Sequence, residues 1–183
     1  MEPVQHSEPT YQPEPTVWNK GIKGGVITGI IMIVYSLLVY ITESEALQSA
    51  SFLFSLIGLI IGIVLTHKAF RSENGGFMSY SQGLGLGSVL GIVSGVLSGV
   101  FAFIYLTFVD NEYMARQMDV ARMRLEDQGM SDAQIEQAMG FTDMLSSPGT
   151  LFMLSIISSL FMAFILSLII SAFTKNNHPE QVY

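Results

Sequence analysis

The 183-residue sequence contains no cysteine and few charged residues. Without cysteine the chain can form neither a disulfide nor a thiolate site, which excludes iron–sulfur clusters and cysteine-ligated zinc. Charged residues make up 13% of the chain, against about 25% in ordinary soluble domains, whereas half of the chain is apolar. A chain with so few charges cannot cover a soluble surface.

Charged side chains are missing altogether from four long stretches, 24–42, 46–66, 74–109 and 144–174. A helix needs about 20 mostly apolar residues to cross a hydrocarbon core of about 30 Å. The third stretch is too long for one straight crossing, so we assign its polar start, 77–82, to the membrane interface. The sequence predicts an all-α integral membrane four-helix bundle, residues 20–175, with spans at about 22–41, 47–65, 83–106 and 151–173.

The segments outside these spans are polar. Residues 1–19 hold four prolines and three glutamates, a composition that cannot bury enough apolar surface to fold, and they are predicted to be a disordered cytoplasmic tail. Residues 176–183 are predicted to be a second cytoplasmic tail. The connection 110–149 is predicted to be an amphipathic helical loop outside the cell.

This outer loop carries helix signals of its own. Apolar residues recur at helical spacing from Met114 to Leu125, which predicts a helix over 111–128 that Gly129 ends. Ser131 has a glutamine three positions on, the pattern of a capping box, and predicts a second helix that ends at about Gly140. Pro148 is suited to the first turn of the fourth span.

The positions of lysine and arginine predict the orientation, because cytoplasmic loops retain these residues. Five lie before span one, after span two or after span four: Lys20, Lys23, Lys68, Arg71 and Lys175. The connection 42–46 has none, and the long loop sets three arginines against eight acidic residues. Both termini are therefore predicted to be cytoplasmic.

Small residues recur every four positions in all four spans. They are Gly21, Gly25 and Gly29; Gly58 and Gly62; Gly83, Gly87, Gly91, Gly95 and Gly99; and Ser155, Ser159, Ala163, Ser167 and Ser171. In lipid, such positions let helix backbones approach closely. We interpret them as helix-packing residues, either within one chain or partly toward a second copy.

The row of five glycines in span three makes that span the predicted centre of the bundle. A four-residue step drifts about 40° around an α-helix, or about 160° over the whole row. We therefore expect one neighbouring helix near 83–91 and another near 95–99. The glycines of span one echo those of span three, which leaves an internal repeat open as an interpretation.

No residue pattern predicts a reaction. Ionisable residues are absent near the middle of the spans, the histidines His6, His67 and His178 fall in a tail, a loop and a tail, and no nucleophile, base or phosphate loop is in register. The six methionines of the outer loop could bind Cu(I) in principle, but no cysteine or histidine accompanies them. The chain is predicted not to be an enzyme and to need no cofactor or metal.

Five polar side chains of the spans could line a route for a solute: Tyr35, Ser55, Ser94, Ser98 and Tyr105. A serine in a membrane helix commonly bonds its own backbone instead, so both interpretations stay open. The net charge of −7 speaks against a nucleic-acid partner.

Two motifs resemble a known family. They are Arg71 followed by Gly75-Gly76-Phe77-Met78-Ser79-Tyr80-Ser81-Gln82-Gly83, and the run 129–139 (Gly-Met-Ser-Asp-Ala-Gln-Ile-Glu-Gln-Ala-Met) followed by Ser147-Pro148. Over about residues 17–175 the chain resembles an uncharacterised family of small bacterial inner-membrane proteins, defined only as a domain of unknown function. The resemblance implies a four-span fold in the bacterial inner membrane and no particular activity.

Two functions fit these observations. The first is a non-enzymatic scaffold or subunit that pairs through its small-residue helix faces with a second copy or another membrane protein. The alternative is a transporter or channel component for a small neutral solute, with polar residues of the spans lining the route. We expect the lipid bilayer as a partner in both cases.

Overall fold

The computed structural model describes residues 15–177, and every regular element among them is a helix. In chain order these are α1 (Val17–Thr42), α2 (Glu45–Glu73), α3 (Tyr80–Ile104), a π-helical turn (Tyr105–Val109), α4 (Tyr113–Asp127), α5 (Asp132–Leu145) and α6 (Pro148–Thr174). The predictions for residues 1–14 and 178–183, including His6 and His178, lie outside the described residues.

Four helical segments are long and apolar enough to cross a bilayer: Val17–Thr42, Glu45–Glu73, Tyr80–Val109 and Pro148–Thr174. The predicted all-α fold with four membrane spans is confirmed, and the chain is a multi-pass membrane protein. Its large apolar side chains point outward along these helices, as Ile31, Ile57 and Phe161 do, because lipid and not water surrounds them.

The first helix begins earlier than the sequence predicted. Residues 17–19 were assigned to the disordered tail, but α1 starts at Val17 because Thr16 caps it: the Thr16 hydroxyl accepts from the Asn19 backbone N–H at 3.1 Å. A threonine in this position satisfies one of the free N–H groups of the first turn. This capping hydrogen bond stabilises the first turn, so the helix begins at Val17 although the sequence before it is polar and rich in proline.

The second helix of the loop continues beyond its predicted end. Gly140 was expected to stop α5, which instead runs to Leu145. Gly129, which does end α4, has a φ of +74°, whereas Gly140 keeps an ordinary helical backbone. A glycine inside a helix costs only about 1 kcal/mol relative to alanine, so it weakens the helix without ending it.

The bundle has two ends. One, here called the loop end, carries the α1–α2 turn and the helices α4 and α5. The other, here called the tail end, carries the start of α1, the α2–α3 connection and the end of α6. At the tail end Met78 and Asn176 exchange two backbone hydrogen bonds of 2.9 Å, which ties the α2–α3 connection to the chain after α6.

The glycine row of α3 faces α6 along its whole length. Five pairs form in antiparallel register: Gly83 with Ser171, Gly87 with Ser167, Gly91 with Ala163, Gly95 with Ser159, and Gly99 with Ser155. The prediction that two different helices share this row is wrong. The α6 row has the same four-residue spacing and drifts by the same amount per step, so the two rows stay in contact.

Helices α3 and α6 approach so closely that serine hydroxyls of α6 occupy the space where a Cβ on an α3 glycine would stand. Ser167 and Ser171 are fully buried, and their hydroxyls have no hydrogen-bond partner among residues 15–177. Each lies against a glycine of α3. Weak Cα–H···O contacts recur at closely packed helix interfaces of this kind.

The opposite side of α3 packs against α1 in parallel register. Gly21 meets Val89, Gly25 meets Val93, and Gly29 meets Leu97. The glycines of α1 therefore face large side chains of α3, while those of α3 face small residues of α6. These partners are not equivalent, so the shared glycine spacing serves two different contacts.

Helix α2 closes the bundle by packing against α1 in antiparallel register, Thr66 against Gly24, Gly62 against Thr28, and Gly58 against Met32. Its buried residues are Leu59, Ile63, Thr66, His67 and Phe70, all in the half toward the tail end. The half of α2 toward the loop end, 45–58, contains no buried residue. The four spans are therefore tightly packed at one end and open at the other.

Candidate functional site

A cavity of about 460 Å³ lies between the four spans in the half toward the loop end. Serines from every span line it: Ser36, Ser51, Ser55, Ser94, Ser98, Ser155, Ser158 and Ser159. Two tyrosines and a set of apolar side chains, including Met32, Leu59 and Met162, complete the wall. The volume is within the range of pockets that hold small molecules.

Four of the five polar residues singled out in the sequence, Tyr35, Ser55, Ser94 and Ser98, line this cavity. The fifth, Tyr105, does not. It is buried in a cluster with Tyr40 and Tyr113. The ring centroid of Tyr40 lies 4.9 Å from that of Tyr105 and 5.0 Å from that of Tyr113. The structure thus brings residues from three predicted spans to one place and assigns Tyr105 to an aromatic cluster nearer the loop end.

Some of the cavity serines use their hydroxyls within the protein. Ser51 donates to the Leu47 carbonyl at 2.9 Å and Ser155 to the Phe152 carbonyl at 2.7 Å. Ser94 is 3.2 Å from both the Gly91 carbonyl and the Ser159 hydroxyl. These contacts are the usual way in which serine is satisfied in a membrane helix.

Four other cavity serines, Ser36, Ser55, Ser98 and Ser158, make no hydrogen bond to any residue in 15–177. A hydroxyl left without a partner away from water costs free energy. Each can both donate and accept one hydrogen bond or more. The cavity therefore offers four hydroxyls whose hydrogen-bonding capacity a bound molecule can use.

Within residues 15–177, no Asp, Glu, Lys, Arg or His lines the cavity. A charged ligand would lose its hydration without gaining an opposite charge, which is very costly in a low-dielectric site. No group of three His, Asp or Glu residues within 15–177 has the arrangement of a metal site. The chemistry of the cavity fits an uncharged molecule with hydroxyl, carbonyl or amide groups.

Toward the tail end the cavity has a closed floor. Leu59, Ile63, Leu90 and Ala163 form a buried apolar cluster directly below it. Beyond this cluster α1 and α2 are in close antiparallel contact, since Thr66 already fills the space where a Cβ on Gly24 would stand. The cavity therefore crosses about half of the bundle and is not a continuous pore.

His67 is a buried polar residue that the sequence analysis missed. It was assigned to a loop, but it lies inside α2 with no exposed surface. Its Nδ1 is 2.8 Å from the Thr174 hydroxyl of α6, and its Nε2 is 3.0 Å from the Gly83 carbonyl of α3. One side chain thus connects three spans at the tail end.

The sequence did hold a signal for this position. His67 follows Ile63 by four residues and precedes Phe70 by three, and both of those residues are fully or almost fully buried. The helical spacing therefore places it on the buried face of α2. The burial of His67 was not predicted because the nearby charged residues Lys68 and Arg71 made the segment resemble the start of a loop.

Residues 23–176 match the model of the family described as "Protein of unknown function (DUF4199)". The chain belongs to this family. The resemblance inferred from the two motifs is thereby confirmed. The match contains all four spans apart from the first turns of α1, every residue that lines the cavity, and His67. No curated protein and no solved structure matches the chain.

In this DUF4199 member the loop end is held by a cluster of charges. Arg116 of α4 donates to Glu43 of the α1–α2 turn, with Nη2 to Oε1 at 2.7 Å, and to Asp110, with Nη2 to Oδ2 at 2.6 Å. Its guanidinium also lies 5.9 Å from the ring centre of Tyr113. Because the Arg116 guanidinium donates to both carboxylates at once, it holds α4 against the α1–α2 turn.

The cluster shifts the pKa values of its members. The hydrogen bond from Arg116 lowers the pKa of Asp110 below its ordinary 3.8, and the two carboxylates raise the pKa of Arg116. Burial, followed by the effect of Tyr40, raises the pKa of Tyr113 to about 12. At neutral pH the carboxylate of Asp110 is therefore charged, as its hydrogen bonds with Arg116 require, and Tyr113 is neutral.

Proposed function

We propose that this DUF4199 protein is a non-enzymatic transport component that takes a small, uncharged molecule into the cavity between its spans. The observation that carries the proposal is the set of four serine hydroxyls without a partner inside a cavity without charge. The closed floor below Leu59 favours a carrier that opens alternately to its two ends over an open channel.

The orientation we propose has the tail end in the cytoplasm. Five of the eight Lys and Arg residues lie there, and at the loop end Arg116 and Arg124 are paired with glutamates. Positive charges concentrate on the cytoplasmic side of membrane proteins. With the family resemblance, this supports a multi-pass protein of the bacterial inner membrane whose cavity lies in the half of the bundle away from the cytoplasm.

Thiol labelling tests the proposal in a chain that has no cysteine of its own. Ser98→Cys places one thiol in the cavity, and Val100→Cys places one at a similar depth on the lipid-facing side of α3. In nanodiscs, the neutral reagent iodoacetamide should alkylate Cys at 98 far faster than Cys at 100, because only a thiolate in a polar environment reacts readily. Equal, slow reaction at both positions would contradict a solute-accessible cavity.

Solute flux gives the second half of the test. Proteoliposomes that contain the wild-type protein should pass glycerol faster than liposomes with the Ser98→Leu variant, which fills the cavity. Ser49→Leu, on the exposed side of α2 away from the cavity, is the matched control and should behave as wild type. Identical glycerol flux for wild type, Ser98→Leu and empty liposomes would overturn the transport assignment.

A second candidate is a subunit that binds a membrane-protein partner or a second copy. The small-residue rows do not supply its interface, because each glycine of α1, α2 and α3 at the helix contacts meets a residue of the same chain. What favours it is α5, which exposes Phe141 and Met144 beyond the spans. A monomeric mass in nanodiscs, with no protein co-purifying, would argue against this candidate.

A further inference from the structure

Four interfaces between neighbouring spans, here called seams, surround the cavity. Side chains close three of these seams at the level of the cavity. Between α1 and α2 the rings of Tyr35 and Phe54 stack at a centroid distance of 3.9 Å, and the Tyr35 hydroxyl donates to the Leu47 carbonyl at 2.7 Å. These two contacts tie α1 to the half of α2 nearest the loop end. These contacts close the seam between α1 and α2 at this level.

The seams on either side of α3 are closed as well. Between α3 and α6 the Ser155 hydroxyl lies 3.1 Å from the Gly95 carbonyl oxygen, where the two helices are in close contact. Between α1 and α3, Leu97 packs on Gly29 and the ring of Phe101 stacks on Tyr40 at 6.2 Å. Beyond these rings, the cluster of Arg116 with Glu43 covers the loop end.

The fourth seam, between α2 and α6, is open at this level. Its closed part begins at Leu59, which packs with Ala163 and the partly buried Met162. Nearer the loop end, Ser55 of α2 and Ser158 of α6 line the cavity and are also exposed on the surface. These two serines face the lipid at the edges of a lateral opening.

We propose that the ligand is a single-chain amphiphile with an uncharged, hydroxyl-bearing head, which enters sideways from the leaflet at the loop end through the seam between α2 and α6. This inference rests on the proposed function and names its substrate class. The head hydrogen-bonds the free serine hydroxyls, and the chain lies along the apolar wall formed by Met32, Leu56 and Met162.

The lipid surroundings explain why an amphiphile fits better than a solute from water. Ser55 and Ser158 line the cavity at its opening and are exposed there without a hydrogen-bond partner among residues 15–177, and in hydrocarbon an unpaired polar group is costly. A head group that passes the opening can form hydrogen bonds with these two hydroxyls. The acyl chain stays in an apolar environment throughout. A charged head would meet no counter-charge in the cavity, so the chemistry selects heads such as glycerol or a neutral amide.

Photolabelling tests this entry route in nanodiscs. The probe is a monoacylglycerol whose acyl chain carries a diazirine, and labelled peptides are identified by mass spectrometry. We expect labels on 51–59 and 155–162 that excess monooleoylglycerol removes and excess oleate does not. Ser158→Phe, which blocks the opening, should lose most of this competed labelling. Ile157→Phe adds the same ring to the adjacent lipid-facing position and should keep it.

The outcomes separate the two proposals. If iodoacetamide reaches Cys at 98 and glycerol flux is intact, but competed labelling is absent or equal in Ser158→Phe and Ile157→Phe, lateral entry of an amphiphile is overturned and the transport assignment stands. If competed labelling follows the pattern above while glycerol flux is absent, the amphiphile site stands and transport of a small solute is overturned. If no probe reaches the cavity, both fail.

Discussion

A Cβ added to Gly91 would stand 2.6 Å from the Cβ of Ala163 and 2.9 Å from the Ser159 carbonyl oxygen. The helices α3 and α6 therefore touch backbone to backbone at the middle of the membrane. In lipid, where apolar burial gives no advantage to helix association, such contact supplies much of the attraction between spans. Because α3 and α6 are in such close contact, the interface between them cannot open. This restricts where the cavity can lie.

Replacing Gly91 should destabilise the bundle. Gly91→Leu forces the helices apart, and overpacking of this kind costs about 1–3 kcal/mol or more. Thermal unfolding in nanodiscs measures the effect as a lower melting temperature. Gly140→Leu is the control, since a Cβ there meets nothing within 4 Å. A Gly91→Leu variant as stable as the wild type would contradict the close contact.

Removing the His67 side chain should destabilise the tail end. His67→Ala removes the hydrogen bond to the Gly83 carbonyl, at a cost of about 0.5–1.5 kcal/mol, and leaves a cavity between α2 and α3 that adds to this cost. Thr174→Val removes only the Nδ1 partner and should cost less. Hydrogen exchange of α2 near 63–70 checks both variants, and equal protection in wild type and His67→Ala would contradict the role of His67.

Acid should loosen the first part of α4, where Asp110 holds Arg116. The pKa of Asp110 is lower in the folded protein than its ordinary 3.8, so the stability that this carboxylate contributes is fully present above pH 3.8 and is lost as the pH falls through the folded pKa. Hydrogen exchange of 113–127 should rise over that range. In Asp110→Asn the rise should be smaller, because the titrating group is gone. The same rise in both proteins would exclude Asp110 as its source.

Single cysteines should report the orientation. Ser72→Cys lies at the tail end and Gly140→Cys in α5, and both sites are exposed. In intact cells a membrane-impermeant maleimide should label Cys at 140 and not Cys at 72. After the cells are opened both should react. Labelling of Cys at 72 alone in intact cells would reverse the proposed topology.

The cavity was only partly predictable from the sequence. Ser55, Ser94 and Ser98 could be chosen because polar residues in an apolar span are conspicuous. Ser36 and Ser158 were not chosen, since periodicity places a residue on a helix face without saying which neighbour that face meets. His67 was missed for a related reason: adjacent charges marked a loop, while the three-helix contact that buries it exists only after α2, α3 and α6 come together.

The four spans were determined by the sequence itself, because crossing a bilayer depends on the length and apolarity of one segment at a time. The membrane environment also fixed the helical backbone, since each span must satisfy its own hydrogen bonds. Which residues meet was decided only by the tertiary structure. The glycine row of α3 could have faced one helix in its first part and another in its last, and it follows α6 from Gly83 to Gly99 because the small residues of α6 repeat with the same four-residue step. The cavity, its closed floor and its open seam are consequences of that pairing.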